Sequence, residues 1–89
     1  MSHDRLLAVL ADARALLARP GNDFSWSRWD NEREALAEMD QLAADPSVQE
    51  LRALFAPTGP IQEVSLSSGW GDDFLQLACR FDAAIEQGL

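Results

Sequence analysis

At 89 residues and 9.8 kDa, with 47% hydrophobic and 25% charged residues, the chain can build one small globular domain and has no room for a second. Folded-chain scaling has such a chain burying roughly 64% of its unfolded surface, enough for a single core without disulfides or a structural metal, which argues against disorder. Fifteen acidic residues face seven arginines and no lysine, for a net charge of -8; phosphate backbones are captured by clustered positive charge, so direct nucleic-acid binding is not expected.

A negative surface suits a basic protein partner, and it equally serves plain solubility. The single cysteine, Cys79, has no internal partner, so no disulfide scaffold is indicated and a reducing cytoplasm is the expected compartment. Leu6 to Ala18 is apolar-rich, but Asp4, Asp12 and Arg14 break any signal-peptide core, and the stretch is far short of a membrane span. The expectation is a cytosolic chain, complete as given.

Ser2 or Asp4 can open a first helix, in which Leu6, Val9, Leu10, Ala13, Leu16 and Leu17 form one stripe at a 3.6-residue period. Its end is expected at Arg19, before Pro20-Gly21. Residues 20–27 then read as an irregular link whose two aromatics, Phe24 and Trp26, tuck onto the core. Ser27 followed by Asp30 resembles a capping box, which places a second helix over Arg28 to Ala44 with Trp29, Ala35, Leu36, Met39, Leu42 and Ala43 inward. Asp45-Pro46 reads as cap plus first-turn proline of a short third helix carrying Val48, Leu51, Leu54 and Phe55 and closed by Pro57.

Residues 58–69 can be read two ways. Val64, Ser65 and Leu66 alternate as a strand does, whereas Pro60 in a first turn, Ile61 and Val64 three apart and Gly69 at the end fit a two-turn helix. Helix is preferred, since a lone strand would have no partner elsewhere in the chain. Gly71-Asp72 opens the last helix, with Asp72 and Asp73 near the positive end of its dipole and Phe74, Leu77, Ala78, Phe81 and Ile85 as its stripe. The fold class is all-α: a single-domain bundle of four or five short helices over residues 1–89.

Within residues 23–34, Asp23, Ser25, Ser27, Asn31 and Glu34 occupy positions one, three, five, nine and twelve of a calcium-loop template. The template needs glycine at position six, where Arg28 would point a cation at the ion, and an apolar residue at eight, where Asp30 stands. A helix cap explains the same residues more simply. Glu32 falls in the middle of the second helix's apolar face, where a carboxylate must be paired or shift its pKa. It is either a first-turn glutamate satisfied by Arg28 or by helix-end N–H groups, or a carboxylate in an aromatic pocket that receives a partner's cation.

Of the three tryptophans, Trp29 is expected in the core, while Trp70, in a short connection between Gly69 and Gly71, is expected to stay partly exposed. Glu34 and Glu38, and Asp82 and Glu86, are like-charge pairs four apart, each costing roughly 0.2–0.5 kcal/mol on an isolated helix. They mark either a solvated face or an acidic docking face. Catalysis is poorly supported. His3 is the sole histidine, Cys79 reads as a semi-buried filler on the flank of the last helix, and Ser65, Ser67 and Ser68 lack a general base. No catalytic residue, metal or cofactor is assigned.

From Phe55 to Asp82 the run FAPTGPIQEVSLSSGWGDDFLQLACRFD resembles a stretch of small acidic bacterial proteins of uncharacterised function, through Phe55, Pro57, Gly59, Gln62, Glu63, Ser65, Gly69, Trp70 and Phe74. The resemblance spans about a third of the chain and brings no assigned activity. It implies that Gln62, Glu63 and Trp70 belong either to a shared surface or to a shared turn. The functional expectation is a non-enzymatic protein-interaction module, for instance an immunity or antitoxin-like inhibitor of a basic partner, whose contact patch contains Trp26, Glu32, Gln62, Glu63 and Trp70. The alternative is a small-molecule or divalent-metal-binding protein built on residues 23–34 and Glu32. A homodimer with Leu7 or Leu75 at its seam is a further possibility.

Overall fold

The structure, a computed structural model, describes residues 3–25, 27–56 and 59–88. Five helices and no strand occur among the described residues: α1 (His3–Leu17), α2 (Glu32–Ala44), α3 (Val48–Phe55), α4 (Pro60–Ser68) and α5 (Gly71–Gly88). The Cα radius of gyration is 12.0 Å, against about 12 Å for a compact chain of this length. Helix α1 lies against α2 and α5, α4 lies against α3 and α5, and α3 also touches α5. One core cluster draws on all five. No described helix is long and apolar enough to cross a membrane.

The apolar stripe of α1 is buried as its spacing predicts, from Leu6 through Leu17. The helix ends at Leu17 rather than Arg19, because the side-chain amide of Asn22 folds back and donates to the carbonyls of Leu16 (2.8 Å) and Leu17 (3.0 Å). The Leu16 carbonyl also accepts from the Arg19 N–H at 3.2 Å, and the Asn22 amide adds a side-chain donor to these last-turn carbonyls.

Helix α2 begins four residues later than the Ser27–Asp30 pattern suggests. Ser27 does not cap it: its hydroxyl donates to the Phe24 carbonyl (3.0 Å) and accepts from the Trp29 N–H (3.2 Å), closing a turn. Asn31 is the cap, accepting from the Glu34 N–H at 3.1 Å, while the Glu34 carboxylate accepts from the Asp30 N–H at 2.9 Å. Helix start and first-turn glutamate thus satisfy donors reciprocally, as in a capping box shifted by one residue at its return bond. Two consequences follow. Trp29 is in the core at 3% exposure but enters it from the loop. Ala43 faces solvent, so the buried face of α2 is Ala35, Met39 and Leu42, with Leu36 packed at its edge.

Asp45 serves as the C-cap of α2. The cap of α3 is therefore Ser47, whose hydroxyl accepts from the Glu50 N–H at 3.4 Å. Leu51, Leu54 and Phe55 bury the inner face of α3; the expectation for Pro57 lies outside the described residues. Residues 60–68 are helical. Proline at the first position costs no hydrogen bond, and Gly69 ends α4 in the left-handed region at φ 87°, with its own N–H and that of Trp70 both donating to the Ser65 carbonyl (3.0 and 2.9 Å). Along α5 the buried set is Phe74, Leu77, Phe81 and Ala84, with Ala78 and Ile85 at the border.

Candidate functional site

Helix α5 covers the core with one face and leaves its neighbouring face open toward α3 and α4. A groove of about 530 Å³ runs there. Its apolar wall holds Phe55 and Phe81, whose rings stack with centroids 4.5 Å apart and planes within 11°. Both rings are nearly fully buried, so they form its floor. Ala78 and Ile85 continue the floor along α5, and Leu75 stands at one end with 58% of its surface exposed. Leu66 on α4 is also exposed, at 66%, and its Cδ2 lies 3.3 Å from where a Cβ on Gly71 would sit, one turn before Leu75 on α5. Scattered exposed leucines are ordinary on a protein surface; one that lines an apolar groove, as Leu75 does, is better placed for a contact face.

Three charged residues line the groove. Arg52 of α3 lines one side, and Asp82 and Glu86 of α5 line another. Gln62 of α4 adds the single carboxamide.

Of the residues expected to form one patch, four fall among the described residues. Gln62 lines the groove. Glu63, one position on, is half-buried in the first turn of α4, where the helix dipole favours a carboxylate. Glu32 is exposed at the first position of α2, not in the middle of an apolar face, because the helix starts at Asn31 instead of Ser27. It lines a separate concavity with Arg19, Asn22 and Asp23. Trp70 is buried at 5% exposure, correcting the expectation of a partly exposed indole. Its Nε1 donates to Asn22 Oδ1 at 2.9 Å, so the polar edge of the ring is satisfied inside the protein. Trp26 lies outside the described residues.

The described part of residues 23–34 supplies turns, the cap of α2 and its first helical turn. The carboxylate of Asp23 accepts from the Ser25 N–H at 2.9 Å, and the hydrogen bonds from Ser25 hold its pKa below the ordinary value. The Asp23 N–H donates to Ser68 Oγ at 2.8 Å, tying the loop to the end of α4. Among the described residues no group of three or more His, Cys, Asp or Glu side chains could hold a metal ion. Cys79 is exposed, not semi-buried, since it sits just past the flank of the α5 stripe.

The two like-charge pairs differ in what they do. Glu34 accepts from the Asp30 N–H at the start of α2, and Glu38 accepts from the Trp29 indole (3.1 Å) and pairs with Arg28, whose guanidinium lies 5.7 Å from the Trp29 ring centre. That pair serves the fold. Asp82 and Glu86 make no ion pair or hydrogen bond among the described residues and stand at the groove rim.

The chain matches no protein-family profile, no curated protein and no solved structure.

Proposed function

We propose that this protein is a non-enzymatic protein-interaction module of the cytoplasm, an inhibitor in the manner of an immunity protein or antitoxin that covers a basic surface on its partner. The observation that carries the reading is the α3–α4–α5 groove: stacked aromatics for a floor, Leu75 exposed at one end, and Arg52, Asp82 and Glu86 as its charged lining. An apolar centre surrounded by a polar rim is the anatomy of a protein contact face. A net charge of -8 adds electrostatic steering toward a cationic partner.

The test is affinity purification from the native cell with the wild-type chain, Leu75→Asp and Ala37→Asp as baits. Ala37 is exposed on α2, outside the groove lining. One basic protein is expected in stoichiometric yield with wild type and Ala37→Asp and lost with Leu75→Asp. Equal recovery by all three baits, or no stoichiometric partner for any, would overturn the reading.

A further inference from the structure

Resting on the interaction-module reading, we infer that the groove receives one amphipathic α-helix of the partner, with its apolar stripe on Leu75, Ala78 and Ile85 and its lysines or arginines toward Asp82 and Glu86.

The kind of backbone follows from the walls. No strand occurs among the described residues, so there is no open sheet edge onto which an extended segment could add. The groove is built from side chains of helices, and a third helix packing on two others buries its ridge between theirs. From Leu75 to Glu86 the α5 wall runs about 17 Å at 1.5 Å per residue, the length of about three turns of a docked helix.

The sign of the partner follows from the rim. Asp82 and Glu86 are one helical turn apart, repel each other, and make no ion pair among the described residues. A lysine or arginine placed over them removes the repulsion on binding. Arg52 on the α3 side would accept an acidic residue of the same helix and so set its direction. A second copy of this chain is disfavoured, because it would bring another net charge of -8 against the same rim.

The probe is a display library of random peptides of about 14 residues, long enough for three to four turns, selected on the wild-type chain. Selected peptides are expected to carry apolar residues at three- and four-residue spacing with lysine or arginine beside them. They are expected to shift the backbone amides of Phe81, Asp82 and Ile85 in ¹⁵N-resolved NMR spectra and to lose at least tenfold in affinity for Leu75→Asp. The double charge reversal Asp82→Lys, Glu86→Lys should invert the preference toward glutamate-bearing versions of the same peptides. Circular dichroism of each variant confirms that it is folded.

Selected peptides without helical spacing, peptides of acidic composition, undiminished binding to Leu75→Asp, or an empty selection would each overturn the helix assignment. So would a concentration-dependent dimer in sedimentation that Leu75→Asp dissolves, which would make a second copy the occupant. Failure here while a stoichiometric cellular partner is recovered with wild type and lost with Leu75→Asp removes the helix assignment and leaves the module reading; successful peptides without any cellular partner do the reverse.

Discussion

The indole N–H of Trp70 donates to Asn22 Oδ1 at 2.9 Å across 48 positions of sequence. Because the same Asn22 side chain donates through Nδ2 to the carbonyls of Leu16 and Leu17, one amide joins the end of α1 to the corner between α4 and α5. Asn22→Ala leaves the buried indole donor without a partner and uncaps α1, and is expected to cost about 1–3 kcal/mol. The measurement is the urea midpoint at unchanged slope. Trp70→Phe should cost less in the Asn22→Ala background than in wild type, since the donor it deletes is already orphaned. Equal costs in the two backgrounds would show that the bond contributes no coupling.

Glu38 holds the entry to α2 in a related way, accepting from the Trp29 Nε1 at 3.1 Å and pairing with Arg28. Glu38→Ala strands the N–H of a tryptophan that is 3% exposed and is expected to lose about 1–3 kcal/mol. Glu38→Gln retains an acceptor and should lose less. Arg28→Ala, acting on an exposed ion pair, should stay within about 1 kcal/mol. Thermal melts that rank Arg28→Ala above Glu38→Ala in damage would contradict this assignment.

Two glycines bracket α4 for different reasons. A Cβ on Gly59 would stand 2.5 Å from the Ala53 carbonyl oxygen and 2.7 Å from that of Leu54, both rigid backbone atoms. Gly69 meets nothing within 4 Å but has φ +87°. Gly69→Ala is therefore expected to cost about 1–2 kcal/mol of left-handed strain. Gly59→Ala forces α3 and α4 apart and should cost more, about 3 kcal/mol. Denaturant titration of the two variants gives the order directly.

Acid sensitivity traces to carboxylates whose pKa the fold lowers. The hydrogen bond from Arg14, at 2.7 Å, holds the Asp40 carboxyl below its ordinary value of 3.8 and ties α1 to α2. A folded-state pKa below the unfolded one means that the pair's contribution is present above the unfolded value and is lost as pH falls through the folded one. Asp40→Asn should consequently lower stability near neutral pH and flatten the acid limb of a stability–pH profile below pH 3.8. Both groups are exposed, so added salt should shrink the difference between wild type and variant. A variant profile parallel to wild type through that range would remove Asp40 from the account.

Much of the helical order is legible in local pattern. The stripe of α1, the proline start and glycine stop of α4, and the Phe74–Ile85 periodicity of α5 each rest on residues within a few turns of one another. The start of α2 is less legible, because Ser27 with Asp30 and Asn31 with Glu34 are two cap patterns four residues apart, and local chemistry does not rank them. Burial of Trp29 from the loop, held by Glu38 from the following helix, selects the second. Moving that start by one turn is what carries Glu32 out to solvent. Of the candidate contact residues among those described, Gln62 is the one that lines the groove; Phe55 and Phe81 read as core stripes, and their open edge is invisible until α3 and α5 are packed.

By itself, then, the sequence determined an acidic, lysine-free chain that forms short amphipathic helices around one core, since charge is additive and helix periodicity is local. Only the tertiary structure decided that Trp70 turns inward to Asn22 and that Phe55, Leu75 and Asp82 border a common groove. Those outcomes depend on which faces remain uncovered after helices distant in the chain have packed, and residue spacing carries no record of that.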